Sequence, residues 1–152
     1  MAAVKIESYL RNETGGFTSI DQIDTPPQDL DYIEGYIELT INGIVILDKE
    51  LWDYVDQLWA YISNMILALR KSNEASTYFP DQPIKLTLRR QSQGRILVEC
   101  QIEDELRSTS AVEREVIEAL QTSGLAFFRK MSVLAPSQRE GYTGALERLA
   151  KA

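Results

Sequence analysis

Histidine is missing altogether from this 152-residue chain, and cysteine occurs once. Without histidine there is no Ser–His or Cys–His dyad, no imidazole ligand for a metal, and no side chain whose ordinary pKa lies near neutrality. The single Cys100 has no partner for an internal disulfide, and one thiol without imidazoles cannot build a structural zinc site of the usual kind. No stretch approaches the roughly 20 apolar residues of a membrane span. The opening residues 1–7 lack the basic segment and apolar run of a signal peptide. These absences lead to the expectation of a cytoplasmic, reducing setting with no membrane contact. GxGxxG, GxxxxGK(S/T) and GxSxG are absent as well, and neither a cofactor nor a metal is expected.

What is present describes an ordinary globular chain. Apolar residues make up 44% and charged residues 26%, which rules out a wholly disordered segment. Residues 1–152 read as a single α+β domain, long enough to bury roughly 70% of the surface its unfolded chain exposes. The net charge of −7 is unevenly placed. Residues 1–60 carry 12 acidic and 3 basic side chains, a net of −9, whereas residues 61–152 carry 11 and 13, a net of +2. An acidic N-terminal part repels nucleic acid and attracts basic partners; it also serves plain solubility.

Periodicity along the chain predicts the order β-β-β-α-β-β-α-α, an antiparallel sheet of about five strands with helices covering one face. Residues 4–10 alternate apolar and polar, and so do residues 32–41, where Ile37, Leu39 and Ile41 share a face. Between them residues 12–31 read as a loop, with Gly15-Gly16, Pro26-Pro27 and Asp21, Asp24, Asp29 and Asp31. Asn42-Gly43 before Ile44 predicts a type I′ hairpin. Asp48 stands at an N-cap position, with a helix expected over residues 49–71. Its broad apolar arc includes Val55, Leu58, Trp59, Ile62 and Ile66; Asp53, Asp56 and Gln57 fall on the polar arc. Residues 72–83 read as a second loop. A second hairpin turns at Gln93-Gly94, which places Glu99 opposite Leu88. Ser110-x-x-Glu113 and Ser137-x-x-Glu140 match capping boxes, and Gly124 stands where a helix would end or kink.

Several constellations of residues bear on chemistry. Pro80-Asp81 before a strand, with Glu99-Cys100-Gln101 on the next, resembles a metal-nuclease pattern with Gln101 in place of lysine. The expected register sets Asp81 seven residues beyond the partner of Glu99, about 23 Å along a strand, too far for one metal. Asp53 with Asp56, and Glu103-Asp104-Glu105, are paired carboxylates with no sign of a cleft. Arg89, Arg90 and Arg95 cluster without interleaved aromatics and read as an outer sheet face pairing with Glu99, not as a nucleic-acid site. Tyr78 and Phe79, bounded by prolines, either pin their loop to the core or are offered to a partner.

The acidic skew, the aspartate-rich loop and the missing catalytic machinery give a plan that resembles, over the whole chain and without a motif match, the small acidic immunity proteins of bacterial polymorphic and contact-dependent toxin systems. The resemblance implies a cytoplasmic, non-catalytic protein-binding domain that neutralises a toxin domain. A structural or adaptor domain with another protein partner, and a carboxylate-dependent hydrolase, are the alternatives. The residues expected to meet a partner with a basic surface are Glu50, Asp53, Asp56 and Gln57 near the first helix, and Tyr78, Phe79 and Asp81 in the second loop. Oligomeric state is not legible.

Overall fold

The computed structural model describes residues 3–151. The α+β class and the antiparallel pairing hold, with the strands shared between two sheets instead of one. The first sheet is built from β1 (Val4–Arg11), β2 (Phe17–Ser19), β3 (Glu34–Ile41), β4 (Ile44–Leu47) and β5 (Asp53–Tyr54). Its order is β2-β1-β3-β4, and β5 also pairs with β3. The second contains β6 (Glu74–Tyr78), β7 (Ile84–Arg90), β8 (Arg95–Ile102) and β9 (Glu105–Val112), paired in chain order. Three helices complete the chain: α1 (Val55–Ala68), α2 (Glu113–Leu134) and α3 (Arg139–Lys151). One cluster of buried apolar side chains draws on both sheets and all three helices. Among the described residues no helix is long and apolar enough to cross a membrane.

The Asn42-Gly43 turn forms as its chemistry requires, with φ of 50° and 82° at the two positions. The β7–β8 hairpin differs from expectation by one residue. Ser92-Gln93-Gly94 form a three-residue loop closed by the Gln91 N–H donating to the Arg95 carbonyl at 2.8 Å. Glu99 therefore lies opposite Thr87, not Leu88.

Both expected loops contain strands. Phe17–Ser19 pairs with β1, because Phe17 can cover the sheet opposite Arg11. Glu74–Tyr78 pairs with β7, which buries Ala75.

The first helix begins six residues later than the sequence predicts. Asp48 does act as a cap, accepting from the Glu50 N–H at 3.0 Å, but only of a 3-10 turn over Lys49–Leu51. Trp52 then turns extended, and Asp53–Tyr54 pair with Gly35 and Glu34 of β3 before the chain coils at Val55. Val55, Leu58, Trp59, Ile62 and Ile66 are buried, as their arc predicts.

Neither capping box has its expected role. Ser110 lies inside β9, where its hydroxyl donates to Gln91 Oε1 at 2.6 Å and accepts from Arg95 Nε at 3.2 Å. Glu113 meets Arg90 at 2.6 Å instead of folding back to Ser110. Ser137 sits within the 3-10 turn Pro136–Gln138. Gly124 does not end α2, which is continuous over the 22 residues Glu113–Leu134. An added Cβ there would stand 2.8 Å from Leu149 Cδ1 and 3.1 Å from the Trp59 ring, so glycine is what lets α1 and α3 approach.

Candidate protein-binding surface

Of the seven residues expected at a partner surface, Asp53 and Phe79 are buried. Asp53 is 2% exposed and is not helical. Its carboxylate accepts from the backbone N–H groups of Tyr54 at 2.7 Å, Asp81 at 3.1 Å and Gln82 at 3.0 Å. It therefore anchors the 80–82 turn and is not available to a partner, because these donors would be orphaned without it. Gln82 Nε2 strengthens the same junction by donating to the Trp52 carbonyl.

Asp56 is half-buried and accepts from the Tyr142 hydroxyl at 3.1 Å, joining the start of α1 to α3. Burial pushes its carboxyl above the usual range, opposed by hydrogen bonds from Tyr142 and from the backbone. Gln57 is half-buried, and Glu50 and Asp81 are exposed. The loop aromatics separate: Phe79 is 4% exposed and belongs to the core, whereas Tyr78 is 62% exposed. Phe79 is thereby removed from the candidate surface, because its ring anchors the turn.

The nuclease-like pair is not assembled either. Glu99 faces Arg89 at 3.5 Å, and Arg89 also meets Glu74 at 2.8 Å. The arginine cluster is spent on such contacts, including Arg90 with Glu113. Cys100 is fully buried, and burial lifts its thiol to about 12. Among the described residues no group of three or more cysteine or acidic side chains is placed to hold a metal.

A different set of residues does converge, on the outer face of the first sheet. Alternation along β1 sends Ser8 and Leu10 into the core, where Trp59 Nε1 donates to Ser8 Oγ at 2.9 Å. Lys5, Glu7, Tyr9 and Arg11 therefore point outward. Their cross-strand partners on β3 are Thr40, Glu38, Tyr36 and, one step further, Glu34. The Tyr9 and Tyr36 rings stack at 4.5 Å with 12° between their planes, and Phe17 meets Tyr36 edge-on at 4.9 Å. The Arg11 guanidinium lies 4.2 Å from the centroid of the Trp52 ring and 5.1 Å from that of Phe17, and reaches Glu34 at 3.5 Å. Tyr32 packs against Tyr54 at 5.3 Å and is 58% exposed. Desolvation, followed by the carboxylates of Asp81 and Glu34, pushes the Tyr54 phenol up.

At the Arg11 end this face opens into a cleft of about 700 Å³, bordered by Arg11, Tyr32 and Glu34 and by the acidic loop with Asp24 and Asp29. Sequence reasoning passed over this surface because its aromatics come from four separate segments. The alternation of residues 4–10 and of residues 32–41 was the available signal, since it set Tyr9 and Glu38 on the solvent side. No protein-family model, curated protein or solved structure matches this chain.

Proposed function

We propose that this chain is a non-catalytic protein-binding domain for a partner with a basic surface, and in its most specific form a bacterial immunity protein that binds and neutralises a toxin domain. The observation that carries the reading is the outer face of the first sheet. Tyr, Trp and Arg are the residues most enriched among binding hot spots, and here Tyr9, Tyr54, Trp52 and Arg11 share one surface with Glu7, Glu34 and Glu38, over the buried ring of Tyr36. The rings supply contact area at small entropic cost, and the carboxylates supply attraction and register for a basic partner. The −9 net charge of residues 1–60 falls on the segment that builds this sheet, and the same field disfavours nucleic acid. A reducing, cytoplasmic setting suits the one thiol, which is buried and unpaired.

The test is capture on immobilised protein followed by mass spectrometry, with Tyr32→Ala/Tyr54→Ala as the surface variant and Glu147→Lys on α3 as the control. The expected result is a basic protein retained by wild type and by the control and lost by the surface variant. Its activity should be blocked once the chain is added in equal amount. Equal retention by all three proteins, or no retained protein, overturns the reading.

A further inference from the structure

We propose that the outer face of the first sheet docks a basic segment of the partner, with one lysine or arginine side chain seated between Glu7 and Glu38 against the Tyr9 ring. This rests on the protein-binding reading and specifies its partner chemistry. Glu7 and Glu38 are directly opposite one another across the β1–β3 pair, and both are exposed. Like charges directly opposite in an antiparallel pair destabilise a sheet. Among the described residues no salt bridge reaches either one, although Lys5 stands on the same face two residues away.

The second sheet is treated differently. There Glu74 and Glu99 share Arg89 between them, so their charge is answered within the chain. On the first sheet Glu34 meets Arg11, but the charges of Glu7 and Glu38 are left for something else to answer.

The site is also prepared for a cation. Ser19 Oγ donates to Glu7 Oε1 at 2.6 Å and the Tyr9 hydroxyl to Oε2 at 3.2 Å, which presets the carboxylate. The Tyr9 ring, stacked on the buried ring of Tyr36, offers an aromatic face that attracts ammonium or guanidinium groups. Burial first, then Glu7 and Glu38, push the Tyr9 phenol up to about 12. A second copy of the chain would bring the same carboxylates and a further −7, so the occupant that fits is a cationic segment of another protein.

Heptalysine and its fully side-chain-acetylated form are the probes, titrated into the whole chain and followed by amide proton–nitrogen NMR. Heptalysine should shift signals in β1, β2 and β3, and the acetylated peptide should not. Glu7→Gln/Glu38→Gln should weaken heptalysine binding by about tenfold or more, the scale of one close charge pair, with a melting temperature equal to or above that of wild type. Glu38→Gln alone, which removes no internal hydrogen bond, should reproduce part of the loss. Glu140→Gln/Glu147→Gln on α3 should change nothing. Undiminished binding in the Glu7/Glu38 variants, or shifts centred on residues 21–31, would overturn the inference. So would self-association in sedimentation that the Glu7/Glu38 variants abolish, which gives the face to a second copy. If those variants still capture the natural partner as wild type does, this inference fails while the protein-binding reading stands.

Discussion

Asp53 holds the backbone N–H of Asp81 with both carboxylate oxygens, each at 3.1 Å, across 28 residues of sequence. Two acidic residues that the sequence offers as a shared recognition patch are thus joined in a structural role. The buried one anchors the turn that carries the exposed one. Replacing Asp53 with Ala leaves two backbone donors of that turn without their acceptor and should cost about 3 kcal/mol, against about 1 kcal/mol for Asp53→Asn, which keeps one acceptor oxygen. Urea unfolding measures both. A loss within about 0.5 kcal/mol, normal for a solvent-facing position, would contradict the burial of this carboxylate.

Gly124 is a packing glycine. Gly124→Ala gains about 1 kcal/mol of helix propensity but presses on Leu149 Cδ1 and the Trp59 ring. Overpacking costs of about 1–3 kcal/mol should outweigh the gain, for a net loss of about 1 kcal/mol. Gly124→Val should lose more. A rise in melting temperature for Gly124→Ala would show that α1, α2 and α3 can move apart.

Asp56 should make the fold weaker at neutral pH than its neutral analogue does. Its folded-state pKa is raised by burial. The folded protein therefore holds this proton more tightly than the unfolded chain does. The group's contribution is fully present below its ordinary carboxylate value and is lost as pH rises through the raised folded value. Asp56→Asn keeps an acceptor for the Tyr142 hydroxyl and carries no charge. It should be more stable than wild type at pH 7, with the gain shrinking as the solution is acidified below the ordinary aspartate range. Denaturant midpoints across pH test this, and a gain that grows towards acid reverses the sign.

Cys100 should be chemically silent in the native state. Its side chain is fully buried and its thiol is raised from 9.0 to about 12, chiefly by burial. An aromatic disulfide reagent at pH 8 should label it only after denaturation. Its linkage has the same sense as that of Asp56. Stability is intact below pH 9 and lost progressively towards pH 12, as the unfolded thiol ionises first. Cys100→Ala should flatten that alkaline decline. Rapid labelling of the folded protein would contradict the burial.

Local alternation and helical spacing were enough to read residues 4–10 and 32–41 as strands, the Asn42-Gly43 turn, and the buried arc from Val55 to Ile66. These features depend on neighbours within a few residues, and that is where periodicity carries information. The two short strands Phe17–Ser19 and Glu74–Tyr78 were not legible, since their pairing energy comes from β1 and β7, not from their own pattern. The division into two sheets, the late start of α1 and the burial of Asp53 depend on contacts between segments far apart in the chain. Asp53 appears solvent-facing on a helical wheel, and becomes structural only because β3 draws Asp53–Tyr54 into an extended pair and sets the 80–82 turn above it. The face that brings Glu7 against Glu38, and Arg11 against Trp52, was decided in the same way. By itself the sequence determined which segments alternate and which coil, because sterics and solvent act on each residue and its near neighbours. Only the tertiary structure decided which charges and rings meet, because sheet register joins residues that no local pattern links.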